Sequence, residues 1–125
     1  EPLATVGECA QAGVDPRRMG IGPIPAVEAL AKKNGMAPAD YDLVELNEAF
    51  AAQVLACQRE LDFPVDRLNV NGGAIALGHP TGCSGARILV TLLYAMRLRG
   101  AQRGLAALCL GGGNAVAMVV ENADD

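Results

Sequence analysis

The chain has 125 residues, a formal charge of −4, four cysteines and a composition that is 51% hydrophobic but only 3% aromatic. That length suits one domain, whose core must be built from Ala, Val, Leu and Ile packed as helices on a sheet. The acidic balance excludes a basic nucleic-acid face, and no apolar run reaches membrane-spanning length. Cys9, Cys57, Cys83 and Cys109 are widely spaced with no Cys-x-x-Cys pair, which points to neither a zinc site nor a disulfide framework. A soluble cytoplasmic chain is the expectation. Glu1-Pro2 opens the sequence with no cap or initiator Met, so a piece of a longer polypeptide is expected.

Residues 3–11 mix β-branched and small side chains and read as a strand. Residues 13–23 are loop by their Gly and Pro content, and Pro25 then leads into a helix over about 24–34, closed by Asn34-Gly35. After a turn at Pro38-Ala39-Asp40, a short strand covers 42–46, and a helix is expected from about Glu48 to Leu61. Asn47 falls at or beside the N-cap of that helix, where a polar side chain ordinarily accepts a backbone N–H. A third short strand, Leu68-Asn69-Val70, delivers a glycine-rich loop. A long helix follows over about 83–99, with Ile88, Leu89, Leu92, Leu93 and Met96 at helical spacing and Gly100 at its end. Residues 104–110 form a near-continuous apolar strand, Gly111-Gly112-Gly113 turns the chain, and 115–121 is a last strand.

The order β-α-β-α-β-α-β-β predicts an α/β domain: a mostly parallel five-stranded sheet with helices packed on it and one antiparallel strand. In such sheets ligands gather outside the carboxyl ends of the strands. Asn47, His79 and Cys109 each follow or end a predicted strand there.

The loop from Asn71 to Arg87 holds five glycines and the sole histidine of the chain, His79, and it empties into a helix N-terminus. Such a place suits an anion or a developing oxyanion. Gly73 and Gly78 have the spacing of a phosphate loop, but His79-Pro80 stands where Lys-Ser/Thr would be needed, which rules that reading out. For a lone histidine in an arbitrary loop, a satisfied and partly buried side chain is the commoner fate. The same holds for a cysteine at a strand end, which is usually inert. Cys83 and Ser84 read as helix-start residues, and Cys9 and Cys57 as core.

Three segments together raise the functional reading above these. Gly78-His79-Pro80, Asn47-Glu48-Ala49-Phe50 and Cys109-Leu110-Gly111 resemble, in order, the Gly-His-Pro, Asn-Glu-Ala-Phe and Cys-x-Gly motifs of the thiolases. The resemblance runs from about Met19 to Glu121 and is to the C-terminal half of a thiolase, without the half that carries the acyl-accepting cysteine. It implies an acyltransferase of fatty-acid metabolism, an acetyl-CoA acetyltransferase or 3-ketoacyl-CoA thiolase. Such enzymes join or split acyl-CoA chains with coenzyme A thioesters as substrates and without a cofactor or metal. By that resemblance His79 activates the acyl-accepting cysteine, Cys109 shuttles a proton to and from the substrate α-carbon, and Asn47 positions a water that completes an oxyanion hole with His79. The N–H of Gly111 contributes to a second hole, and Met19, Ala49 and Phe50 lie near the acyl and pantetheine parts of the substrate. The implied partners are acyl-CoA, the N-terminal thiolase half, and further copies in a dimer or tetramer.

A condensing ketoacyl synthase shares the fold but carries a different His/His or His/Asn set in this half. The reading from another class is a non-catalytic dimerisation or CoA-binding module of the same fold, and the missing nucleophile keeps it open.

Overall fold

The computed structural model describes residues 2–123, so Glu1 and the last two residues lie outside it. Among the described residues the order is β1 (Ala4–Gly13), α1 (Pro23–Asn34), β2 (Leu43–Leu46), α2 (Ala51–Leu61), α3 (Ala74–Leu77), α4 (Ser84–Arg99), β3 (Arg103–Cys109) and β4 (Asn114–Asn122). Prolines in the first turn of α1 remove N–H groups that have no intrahelical partner. Gly35 ends that helix in the left-handed region at φ 73°, donating its N–H to the Ala31 carbonyl. Arg97 and Arg99 occupy the last turn of α4, where cations complement the helix dipole.

The strands form one sheet in the order β1-β4-β3-β2. β2 and β3 are parallel, with Leu46 opposite Ala107, while β4 runs antiparallel to both β3 and β1. Three strands therefore share a direction and β4 alone opposes them, as the connections require. The sheet has four strands rather than the expected five. Leu68-Asn69-Val70 makes only isolated bridges, because Asn69 is left-handed at φ 47° and its side chain replaces the ladder. The Asn69 amide accepts the Leu46 N–H at 2.8 Å and donates to the Leu46 carbonyl at 2.9 Å.

Each sheet face is covered. On one side Val27 and Leu30 of α1 and Cys57 and Leu61 of α2 pack against Val44, Leu46, Leu105, Ala107 and Val119. On the other, Ile88, Leu92 and Met96 of α4 pack against Leu43, Ala106 and Val120. Burying Leu92 completely contributes about 1.5–3 kcal/mol. Gly104 has no side chain because a Cβ there would lie 2.5 Å from the Met96 sulfur, whereas Gly85 lies over Leu108. So α4 runs antiparallel to β3, its C-terminal end over the start of that strand and its N-terminus over the carboxyl edge of the sheet. Among the described residues no helix is long and apolar enough to cross a membrane.

The tri-glycine turn makes a testable distinction. Gly113 is left-handed at φ 89° and a Cβ on it would fall 2.3 Å from the Val14 carbonyl oxygen, while a Cβ on Gly111 would meet nothing within 4 Å. Gly113→Ala is expected to lower stability by about 2–5 kcal/mol from strain and overpacking. Gly111→Ala should leave it nearly unchanged. Denaturant midpoints of the two variants compare them directly.

Candidate active site

Along β2 the side chains alternate: Val44 and Leu46 enter the core under α1 and α2, so Leu43, Glu45 and Asn47 turn toward α4. The chain does not leave the sheet at Leu46. The Asn47 N–H donates to the Ala107 carbonyl at 2.9 Å, one residue past the strand, and the Asn47 side chain is fully buried. The N-cap expectation for Asn47 is thereby corrected. Phe50 stays extended, α2 begins at Ala51, and Gln53 Oε1 accepts the Phe50 N–H at 3.5 Å.

The segment after Asn47 is held away from the helix by Glu48. Its carboxylate accepts the Asn69 amide at 3.2 Å and the Ile75 N–H at 2.9 Å, and Gly73 leaves the space the carboxylate fills. Ile75 is in the first turn of α3, a short helix inside the glycine-rich loop, so Glu48 ties the Asn47 segment to the loop that carries His79. At that loop's end Ser84, the first residue of α4, is buried, and its Oγ donates to the Pro80 carbonyl at 3.1 Å. Ser84 Oγ also stands 2.5 Å from His79 Nδ1, and a hydroxyl that donates to Pro80 accepts from that nitrogen. His79 Nε2 makes no hydrogen bond among the described residues, and the side chain is exposed.

Cys109 is the last residue of β3 and pairs with Ala115. By strand alternation it shares a face with Leu105 and Ala107, opposite to the face of Asn47. Burial pushes its thiol above the ordinary value, partly offset by a backbone hydrogen bond. Beneath it, Cys57 donates to the Gly20 carbonyl at 3.5 Å and is pushed up to about 11 by burial, so it is an inert core thiol, as expected. Gly111 opens the 3-10 turn Gly111–Gly113, exposed, and the first N–H of such a turn has no internal acceptor. That turn contacts the one containing Met19: the Val14 N–H donates to the Gly113 carbonyl at 2.8 Å, just before the turn Pro16–Ile21. Met19 and Ala49 are half-buried, and Phe50 is 62% exposed.

The sequence-identified residues thus converge on one sheet edge. Asn47 and Cys109 end neighbouring parallel strands, and His79 sits at the α4 N-terminus above the same edge. Among the described residues no hydrogen bond joins His79, Asn47 and Cys109 to one another. Four further residues escaped the sequence reading: Ser84, Glu48, Glu45 and Arg87. Ser84 is the helix-start residue that the sequence suggests, and only its distance to His79 shows its second role. Glu45 on β2 and Arg87 on α4 are far apart in sequence, and they meet at 3.7 Å beside Asn47, where burial pushes the Glu45 carboxyl up to about 7 despite the pull of Arg87.

Residues 1–122 match the family described as thiolase, C-terminal domain. The chain is 58% identical over 120 residues to an acetyl-CoA acetyltransferase of Thiocystis violacea, covering 96% of this chain and 30% of that protein. Against the Escherichia coli acetyl-CoA acetyltransferase the identity is 57%, with the same coverage. Among solved structures it superposes on human mitochondrial 3-ketoacyl-CoA thiolase in complex with CoA with a TM-score of 0.94 at 48% identity, covering 98% of this chain and 31% of that one. The chain therefore spans about 30% of the length of the relatives it matches. With the family match running over nearly its whole length, on a fold that superposes on a thiolase, the chain belongs to the thiolase C-terminal domain family.

Proposed function

We propose that this domain supplies the acid–base and oxyanion-binding groups of an acetyl-CoA acetyltransferase or 3-ketoacyl-CoA thiolase, catalysing Claisen condensation of acyl-CoA and the reverse thiolytic cleavage. The observation that carries the reading is the Pro80–Ser84–His79 chain of hydrogen bonds, which ties down Nδ1 and leaves His79 Nε2 without a partner among the described residues at the carboxyl edge. An acceptor nitrogen is what a thiol needs to become a thiolate. The nucleophilic cysteine comes from the remainder of the polypeptide. It gives its proton to His79 Nε2, its sulfur attacks the thioester carbonyl, and the C–S bond to CoA breaks as the leaving sulfur takes the Cys109 proton, so that CoA departs as the thiol and Cys109 is left as thiolate.

In condensation Cys109 as thiolate takes a proton from the α-carbon of a second acetyl-CoA, and the resulting enolate attacks the acyl-enzyme carbonyl, releasing the nucleophile. In thiolysis Cys109 as thiol returns that proton to carbon. The raised thiol of Cys109 favours the proton-bearing form at rest, which suits the second direction. Asn47 Nδ2 and protonated His79 stabilise one developing oxyanion, Asn47 through a water, and the Gly111 N–H the other; preorganised donors of this kind usually supply the largest share of catalysis. Met19, Ala49 and Phe50 line the acyl and pantetheine path. Coenzyme A thioesters enter as substrates and the chemistry calls for no cofactor or metal. The names of the relatives and the CoA complex of the human thiolase support the substrate class. We place the whole enzyme in the cytoplasm, in fatty-acid metabolism, as a homodimer or homotetramer.

Two outcomes test this. Purified 1–125 alone should not cleave acetoacetyl-CoA in the presence of CoA; turnover near that of a whole thiolase would show that no outside nucleophile is needed. In the full-length polypeptide, His79→Ala should slow acylation by roughly 10²–10⁴-fold. Cys109→Ala should leave acylation measurable while abolishing exchange of α-deuterium from acetyl-CoA. Exchange at the native rate would remove Cys109 from the proton-transfer step.

A further inference from the structure

Under the sheet edge, on the face covered by α4, Glu45 and Arg87 take no direct part in the proposed reaction but lie against Asn47, which does. Glu45 is 1% exposed, neither carboxylate oxygen accepts a hydrogen bond from the described residues, and its charge is met by Arg87 Nη1 at 3.7 Å. Arg87 also directs Nη2 toward Asn47 Oδ1 at 3.5 Å and Nη1 toward Thr91 Oγ1 at the same distance. Asn47 Nδ2 is buried without a partner among the described residues.

Stability does not account for this arrangement. Arg87 is in the first turn of α4, where the helix dipole disfavours a cation. A buried ion pair at this separation, without hydrogen bonds completing it, generally recovers less than it loses on leaving water. What the pair does accomplish is selective. The two ends of an asparagine amide have nearly the same shape, and the surrounding hydrogen bonds decide which way it faces. A guanidinium only donates, so Arg87 can accept the company of Oδ1 and not of Nδ2. Glu45 in turn holds the guanidinium in place and neutralises it.

We infer that Arg87, anchored by Glu45, is a positioning residue that fixes the Asn47 amide with its oxygen inward, so that Nδ2 is presented as a donor to the oxyanion site. The inference rests on the reading of Asn47 as a donor in catalysis. Without Arg87 the amide populates both orientations, and the flipped one aims a carbonyl oxygen at developing negative charge. The loss falls on turnover and leaves ground-state binding of the thioester unchanged, because the donor matters where charge develops.

The test is a double-mutant cycle on thiolysis of acetoacetyl-CoA by the full-length enzyme, comparing Arg87→Met, Asn47→Ala and the two combined. Since Arg87→Met alone leaves the buried Glu45 carboxyl without its partner and can fail to fold, the cycle is also run in a Glu45→Gln background, with far-UV circular dichroism and melting curves for every variant. Removing Arg87 is expected to lower kcat by up to about 100-fold, the scale of a misplaced group, with KM within about twofold. Arg87→Lys, which also only donates, should recover part of that loss. In the Asn47→Ala background the further loss of Arg87 should change kcat by less than about twofold, within the error of independent sites. A multiplicative loss there, with Asn47→Ala itself impaired, overturns the positioning role while leaving Asn47 in the mechanism. Native turnover by Asn47→Ala overturns both.

Discussion

The bond from the Asn47 N–H to the Ala107 carbonyl is the constraint on which the rest of the site depends. It carries the parallel pairing of β2 and β3 one residue beyond β2 and so keeps Asn47 in the sheet, facing α4, instead of releasing it to start a helix. Everything downstream follows from that delay. Glu48 is free to turn toward Asn69 and Ile75, Phe50 remains extended, and α2 starts only at Ala51. Were Asn47 the first cap of α2, as its place in the sequence suggests, its Oδ1 would be spent on a backbone N–H and could not accept from Arg87.

The second organising element is the direction of α4. Because Gly104 admits Met96 and Leu92 at one end and Gly85 lies over Leu108 at the other, the helix has one way to lie on the sheet. That packing, made of apolar contacts with no chemistry in them, brings Ser84 and with it His79 to the edge already occupied by Asn47 and Cys109. A loop as rich in glycine as 72–85 would sample many conformations alone; here Glu48 holds its start through Ile75 and Ser84 holds its end through Pro80.

Much of this was legible in the sequence, and the boundary of legibility has a physical meaning. The helices α1 and α4 announce themselves by apolar spacing and terminal glycines, and the hairpin of β3 and β4 by its glycine turn. Three motifs pointed to Asn47, His79 and Cys109, and strand order alone gathered them on one edge. What could not be read were features created by side chains acting as backbone. Asn69 imitates a strand with its amide, so Leu68-Asn69-Val70 has a strand's composition without being one. Ser84 and Glu48 look like ordinary helix-start and motif residues until their partners, five and twenty-one or more residues away, are seen. No periodicity encodes a contact between Glu45 and Arg87, which depends on β2 and α4 meeting across the core.

The thiol of Cys109 and the imidazole of His79 end up in opposite environments, one buried and the other exposed. Cys109 is buried on the face of α1 and α2, which raises its thiol above the ordinary value, whereas His79 stands exposed near the opening of a helix with one nitrogen tied down. On the proposed reading each environment matches its task. A group that must carry a proton onto carbon gains from a raised pKa, and one that must accept a proton from an incoming thiol gains from a free lone pair with access to the rest of the polypeptide. The carboxyl edge is the one place where both faces can be reached by a single substrate, and it is there that β2 and β3 end.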